Sequence, residues 1–66
     1  MRVICNGTNH ELEEGCTVAE LLVQLGLTAA TVVVEHNGDI LVPAHYAERR
    51  LAEGDRLELV RFVGGG

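Results

Sequence analysis

Apolar and polar residues alternate along this chain with two different periods, so the pattern predicts both strands and a helix. The opening Met1 to Cys5 is apolar and β-branched, and Asn6-Gly7 is a strong signal for a two-residue turn. The segment from Thr8 to Leu12 can then return beside the first. These features predict an N-terminal β-hairpin.

The segment after this hairpin has the spacing of a short amphipathic helix. Thr17 and Glu20 have the spacing of a capping box, in which the hydroxyl and the carboxylate each bond to the other residue's backbone N–H. Gly26 can end the helix in a left-handed conformation, with Leu27 packing behind it. The apolar residues share one face of the predicted helix: Val18, Leu21, Leu22 and Leu25.

The middle of the chain predicts a second hairpin. Thr31 to Glu35 is a β-branched run, His36 to Asp39 contains an Asn-Gly turn signal, and Ile40 to Val42 is the returning strand. Pro43 ends that strand because it cannot donate to a sheet.

The last third returns the chain to the sheet. Ala44 to Arg50 predicts a short turn or a single helical turn, and Leu51 is expected to enter the core. Glu53 to Asp55 forms a further turn, and Arg56 to Phe62 alternates polar and apolar residues as a closing strand. The predicted order is therefore ββαββ followed by one more β-strand.

One main helix can bury its apolar stripe only against one face of this sheet, which gives a two-layer α+β domain. The arrangement is a ubiquitin-like β-grasp fold, with a mixed sheet of four to five strands packed on one main helix. We expect one domain over residues 1–63, followed by a flexible glycine tail over residues 64–66.

Composition excludes several classes of function. A single domain of 66 residues is too small for a deep catalytic cleft, and the absence of serine removes the commonest hydroxyl nucleophile. A net charge of −5 disfavours nucleic acid and favours a basic protein surface. No apolar run approaches the roughly 20 residues that span a membrane. Without a secretion-like N-terminus, the expected compartment is the cytoplasm.

The potential redox and metal-binding residues are few. Cys5 lies in an apolar strand pattern and is expected in the core, whereas Cys16 precedes the helix and is expected to be partly exposed, with both thiols reduced. The three histidines, His10, His36 and His45, lack the spacing of a zinc site and are expected at the surface or in turns. No metal site is predicted.

The chemistry is expected at the C-terminus, where Phe62-Val63-Gly64-Gly65-Gly66 follows the closing strand directly. Glycine has no side chain, so it packs poorly but can enter a narrow slot. Five extended residues reach on the order of 17 Å, which suits the active site of another enzyme. Phe62 is expected either to form an apolar docking patch with Val63 or to pack in the core at the end of the strand.

The chain resembles the ThiS family of thiamine-biosynthesis sulfur carriers along its whole length. The most specific features are the hairpin Val33 to Gly38, the Gly54-Asp55 turn before the last strand, and the ending Arg61 to Gly66. The resemblance implies a protein cosubstrate and not an enzyme. It also implies that Gly66 is adenylated at its α-carboxylate and converted to a thiocarboxylate, which donates sulfur to form the thiazole of thiamine.

The resemblance further implies the partners of this chemistry. A ThiF-type adenylating enzyme would use ATP and magnesium, a cysteine desulfurase or another donor would supply sulfur, and the ThiG thiazole synthase would accept it. Gly64 and Gly65 would serve as a slender stem, with Phe62 and Val63 contacting the partner beside them. The carrier itself would bind no cofactor, nucleic acid or membrane and would be a monomer when free.

Other functions share these features. The molybdopterin-synthase small subunit and carriers of cysteine or thiosugar biosynthesis use a similar tail, although this chain is short for the first and lacks a proline before the glycines. A ubiquitin-like modifier would join Gly66 to a target lysine. A plain β-grasp interaction module would tolerate loss of Gly65 and Gly66, whereas a carrier or a modifier would not.

Overall fold

The computed structural model describes residues 1–62, and both Val63 and the predicted tail, 64–66, lie outside the described residues. The predicted order ββαββ and then β is confirmed. Two short 3₁₀ turns, Ala29–Thr31 and Pro43–His45, accompany the main elements. These elements are β1 (Arg2–Cys5), β2 (Thr8–Glu11), α1 (Val18–Gln24), β3 (Val32–His36), β4 (Asp39–Leu41) and β5 (Arg56–Arg61).

The five strands form one mixed sheet in the order β2-β1-β5-β3-β4. The last strand in the sequence, β5, therefore lies between the two hairpins. It runs parallel to β1, with Ile4 opposite Arg56, and antiparallel to β3, with Val34 opposite Leu59. This topology confirms the predicted β-grasp fold.

Both hairpins turn through an asparagine and a glycine with positive φ angles. The φ values are 50° at Asn6 and 80° at Gly7, and 50° at Asn37 and 91° at Gly38. A type I′ turn requires positive φ at both central positions, and Asn-Gly adopts this geometry more easily than other pairs. The two turns are thus explained by the local sequence.

Helix α1 begins and ends as its sequence predicts. The Glu20 N–H donates to Thr17 Oγ1 at 3.2 Å, and the Thr17 N–H donates to Glu20 Oε1 at 3.3 Å. Gly26 has a φ of 71°, and the Leu27 N–H donates to the Leu22 carbonyl at 2.9 Å, which closes the helix. The helix buries three residues against the sheet: Val18, Leu21 and Leu22.

The core is largely aliphatic, and Tyr46 adds its one aromatic ring. Only 2% of the surface of Tyr46 is exposed. The reason is that the segment around it is tied to the start of α1. The Ala19 N–H donates to the Tyr46 carbonyl at 3.0 Å, and the Val18 N–H donates to the Arg49 carbonyl at 2.9 Å. Leu51 is buried, as predicted.

Cys5 is buried as predicted, whereas the expected exposure of Cys16 is wrong because its side chain is also buried. The chain at residues 50 and 51 crosses beside Cys16, and the Leu51 N–H donates to the Cys16 carbonyl at 2.8 Å. Burial raises the pKa of both thiols, and nearby carboxylates raise it further, chiefly Glu58 for Cys5 and Glu20 for Cys16. Neither thiol has the lowered pKa of a reactive cysteine.

Candidate functional site

The candidate site begins where β5 reaches the surface at Phe62. The Phe62 N–H donates to the Thr31 carbonyl at 2.8 Å, so pairing with β3 continues to this residue. The Phe62 side chain is 58% exposed, which excludes the alternative that it packs in the core. Val63, Gly64, Gly65 and Gly66 lie outside the described residues, and the roles expected for them remain predictions.

The side chain of Asn6 holds β5 after β1 has turned away. Its Oδ1 accepts from the Leu59 N–H at 2.7 Å, and its Nδ2 donates to the Leu59 carbonyl at 3.1 Å. The Asn6 backbone N–H donates to the Leu57 carbonyl at 2.9 Å. One residue therefore continues the β1–β5 pairing past the end of β1.

The turn of the second hairpin holds the beginning of β5 in a similar way. Asn37 Oδ1 accepts from the Arg56 N–H at 2.8 Å, and Asn37 Nδ2 donates to Asp55 Oδ1 at 3.0 Å. The Asn37 N–H also donates to the Arg56 carbonyl at 2.8 Å. Both asparagines thus combine a left-handed turn with contacts to the strand that carries the tail.

A buried histidine, His36, lies beside these contacts, so the expectation that it lies at the surface or in a turn is wrong. His36 is 6% exposed because its position in β3 shares a face with Val32 and Val34. Its Nε2 lies 2.7 Å from Asp55 Oδ2, and the Ala52 N–H donates to the same oxygen at 2.8 Å. His36 Nδ1 is buried without a hydrogen-bond partner among residues 1–62.

The pKa of Asp55 results from opposing effects. Burial alone would raise the pKa of the carboxyl group. Hydrogen bonds from Asn37 and His36 lower it, as do the bond from the Ala52 N–H and the charge on His36, so the pKa of Asp55 lies below its ordinary value. Asp55 is therefore a structural anion at the base of β5.

The sheet face opposite α1 carries an apolar surface next to Phe62. Val33 lies opposite Val60, and extending the β3–β4 register by one position places Val42 on the other side of Val33. Val60 is 60% exposed and Ile40 is 70% exposed. We call this surface the open-face patch, and it comprises Val33, Ile40, Val42, Val60 and Phe62.

Two carboxylates border the open-face patch. Glu35 lies opposite Glu58 in the β3–β5 register, and Ile40 lies opposite Glu35 in the β3–β4 register. Like charges placed directly opposite each other destabilise a sheet by roughly 0.2–1 kcal/mol. A basic group from a partner would relieve this repulsion.

An open groove of about 370 Å³ lies on the helix side of the sheet beside the end of β5. Leu25 and Leu27, just past α1, form one wall, and Thr8 and His10 of β2 contribute to the other. Arg61 also lines the groove, so it lies next to the point where β5 ends. The groove and the open-face patch therefore flank the end of β5 from opposite sides of the sheet.

Within residues 1–62, no group of three or more His, Cys, Asp or Glu side chains is arranged to hold a metal ion. In the same part of the chain, no helix has the length and apolar character needed to cross a bilayer.

Sequence reasoning missed the side-chain roles of Asn6, Asn37 and Asp55 and did not identify the open-face patch. The signal for the patch was present, because a period of two places Val33 on the face opposite Val32 and Val34. The contacts of the asparagine side chains could not be predicted from neighbouring residues in the sequence, because Asn6 and Leu59 lie 53 positions apart.

The chain matches a family model described as the ThiS family over residues 3–66. A thiazole synthase of Paramagnetospirillum magneticum is 38% identical over 66 residues, which cover 100% of this chain and 20% of that protein. A thiazole synthase of Magnetococcus marinus has the same identity and coverage. The chain therefore spans about a fifth of the length of these two relatives.

Three further matches have lengths closer to that of this chain. The sulfur carrier protein ThiS of Bacillus subtilis is 40% identical over 50 residues, which are 76% of each chain. A crystal structure of the thiamine biosynthesis protein ThiS of Geobacter metallireducens has a TM-score of 0.84 at 33% identity and covers 100% of both chains. The solution structure of a thiamine biosynthesis protein from that organism has a TM-score of 0.80 at 33% identity, covering 100% of this chain and 88% of the other. These findings agree, and the chain belongs to the ThiS family of sulfur carrier proteins.

Proposed function

We propose that the chain carries sulfur for the thiazole of thiamine as a thiocarboxylate on Gly66. The observation that supports this most directly is the position of β5. It is the central strand, it is held by asparagine side chains at Arg56 and at Leu59, and the chain reaches the surface at Phe62, two positions before the first glycine. A rigid strand in this place can present a slender tail to another enzyme.

The chemistry follows from the low reactivity of a carboxylate. An α-carboxyl group has an ordinary pKa of about 3.3–3.7, so it is ionised near neutral pH and is a poor electrophile. Attack of a Gly66 carboxylate oxygen on the α-phosphate of ATP forms an acyl adenylate and releases pyrophosphate. Attack of sulfide sulfur on the acyl carbon then displaces AMP and leaves a thiocarboxylate. If the donor is a persulfide, a thiol must afterwards cleave the sulfur–sulfur bond.

The enzymes that act on the chain supply the catalytic groups. A ThiF-type adenylating enzyme uses ATP and magnesium, and a cysteine desulfurase or another donor provides the sulfur. The acceptor is thiazole synthase. This assignment is supported by the two thiazole synthases that contain, in one polypeptide, a segment similar to the whole of this chain. The carrier is a cosubstrate in each step.

The open-face patch and the residues after it are the proposed contacts for the adenylating enzyme. Phe62 and Val63 would pack against an apolar surface, while Gly64 and Gly65 pass through a narrow slot. The acidic pair Glu35 and Glu58 indicates that the opposing surface carries at least one Arg or Lys beside its apolar centre.

Intact-mass measurement tests the proposal. The chain is incubated with the adenylating enzyme of the same organism, ATP, magnesium and a sulfur source, beside a control variant that lacks Gly66. The expected result is the mass gain of one oxygen replaced by one sulfur, in the wild type only. An unchanged mass in the presence of an enzyme that demonstrably consumes ATP would refute the assignment.

A further inference from the structure

We propose that an arginine-lined cleft beside the start of α1 binds an acidic segment of thiazole synthase. The cleft is open to solvent and has a volume of about 260 Å³. We call it the basic cleft, and its lining residues are His45, Glu48, Arg49 and Arg50. The inference rests on the proposed function for the identity of the partner. It adds a docking site separate from the open-face patch and from the end of β5.

The backbone around the basic cleft is held in place by α1 and by its own turn. The Val18 N–H donates to the Arg49 carbonyl at 2.9 Å, and the Arg49 N–H donates to the His45 carbonyl at 3.0 Å. Arg50 pairs with Thr17 as an isolated antiparallel bridge. The two arginines therefore project from an ordered backbone, which reduces the entropy lost when a partner binds.

The guanidinium groups of both arginines are available to a partner. Arg49 is half-buried, and Nη1 of Arg50 lies so near the turn at Gly15 that a Cβ atom there would be 3.3 Å away. Arg2 pairs with Glu11 at 3.4 Å, whereas within residues 1–62 no carboxylate forms an ion pair with Arg49 or Arg50. Guanidinium groups bind carboxylates through pairs of N–H donors, so two of them in one cleft suit an acidic segment.

The charge of the basic cleft is opposite in sign to that of the whole chain. The net charge of the chain is −5, yet two arginines against Glu48 leave the cleft positive even with His45 neutral. The open-face patch is bordered by Glu35 and Glu58 and favours a basic partner surface. The chain therefore presents two surfaces that prefer partners of opposite charge.

The position of the basic cleft assigns it to the second enzyme. The cleft adjoins the start of α1, on the face of the sheet opposite the open-face patch, and α1 separates it from the groove at the end of β5 by roughly 10 Å. An interface of standard size, roughly 800 Å² on each partner, spans that distance. One tail is offered to two enzymes, and surfaces of opposite charge let each recognise the carrier through its own contacts. With the open-face patch given to the adenylating enzyme, the cleft falls to thiazole synthase.

Exposure decides between a protein segment and a small free anion as the occupant. In an open cleft, an ion pair with a small anion stays in contact with water, and such pairs are weak and screened by salt. A protein surface that covers the cleft excludes water and strengthens the same pairs. The occupant is therefore a segment with two neighbouring Asp or Glu residues inside a larger interface.

A matched pair of double variants tests the charge. Arg49→Gln/Arg50→Gln removes two arginines from the cleft, and Arg2→Gln/Arg56→Gln removes two outside it, so both chains have the same net charge. Thermal unfolding establishes a temperature at which both are folded. Calorimetric titration then measures the affinity for thiazole synthase of the same organism. At low salt, we expect about tenfold or weaker binding for the cleft variant and less than threefold for the control, with a smaller difference at high salt.

The absence of lysine from the sequence permits a direct test of contact. Arg50→Lys keeps the positive charge and adds a side-chain amine to a chain that has no other, and Arg2→Lys does the same outside the cleft. A carbodiimide activates a carboxyl group of thiazole synthase, and an amine in contact with it forms an amide and releases the urea. Peptide mapping by mass spectrometry should find Arg50→Lys joined to an Asp or Glu of the synthase and Arg2→Lys not joined.

The outcomes separate this inference from the proposed function, because sulfur loading is read independently by intact mass. Equal affinities of the two double variants, or no cross-link through Arg50→Lys, in a chain that gains sulfur would overturn the docking site and keep the carrier role. Selective weakening of the cleft variant in a chain that never gains sulfur would support the docking site and refute the carrier role. Absence of synthase binding by the wild type, or tight binding of inorganic pyrophosphate in the cleft, would also overturn the docking site.

Discussion

Replacing Asn6 by glycine tests whether the side-chain bridge to β5 stabilises the fold separately from the turn. Glycine adopts positive φ readily, so Asn6→Gly preserves the turn, where the φ of Asn6 is 50°. The change removes the bonds of 2.7 Å and 3.1 Å to Leu59. Each such bond contributes a net of about 0.5–1.5 kcal/mol, which gives an expected loss of about 1–3 kcal/mol.

Two smaller effects of the same substitution act in opposite directions. Glycine relieves a left-handed conformation that costs an ordinary residue about 1–2 kcal/mol and costs asparagine less. Glycine also loses more backbone entropy on folding, at a cost of roughly 0.5–1 kcal/mol. Because these effects offset each other, the lost hydrogen bonds dominate the expected change.

Urea unfolding followed by far-UV circular dichroism measures the change in the free energy of unfolding. Thermal unfolding gives a second reading, since a loss of 1 kcal/mol lowers the Tm by about 4–8 °C in a domain of this size. Asn6→Asp is the companion variant, because aspartate also tolerates the turn and keeps an acceptor for the Leu59 N–H. It should be destabilised as well, since its carboxylate faces the Leu59 carbonyl. Stability of Asn6→Gly within about 0.5 kcal/mol of wild type would refute the reasoning.

Two further predictions concern the buried ionisable groups. The folded-state pKa of Asp55 is lowered, so its carboxylate stabilises the fold above the unfolded-state pKa of about 3.9, and this contribution disappears as the pH falls through the lower folded-state pKa. The urea midpoint should fall as the pH drops from about 5 to about 2, and it should fall less in Asp55→Asn; parallel curves for the two proteins would contradict this origin. Cys5 and Cys16 should react slowly with a thiol reagent at neutral pH and quickly in urea, since burial raises the pKa of both thiols. Rapid modification of Cys16 in the native protein would contradict the burial of its thiol.

Local signals in the sequence were sufficient for the elements themselves. The capping box at Thr17 and Glu20, the Asn-Gly turns and the glycine after α1 each satisfy backbone groups within a few residues, so their outcome depends little on the rest of the fold. The order of the elements and the β-grasp class follow from these signals together with the alternation in the strands.

Contacts between distant parts of the chain were not predictable in the same way. Cys16 is buried because the segment at Leu51 crosses beside it, and Asn6 bonds to Leu59 because β5 is inserted next to β1. His36 is the exception, since it follows Val32 and Val34 at a period of two and could have been placed on the buried face. Its partner Asp55 lies 19 positions away and had no signal of its own.

The central place of β5 also has a consequence for how the chain folds. The hairpins β1–β2 and β3–β4 each form between segments that are close in the sequence. The two hairpins become part of one sheet only when β5 pairs with both β1 and β3. Pairing of β1 with β5 must close a loop of almost the whole chain, and such non-local contacts slow folding. During synthesis the inner edges of β1 and β3 therefore stay unpaired until the last strand emerges. Completion of the sheet is thus a late event that depends on β5, the strand nearest the C-terminal glycines in the sequence.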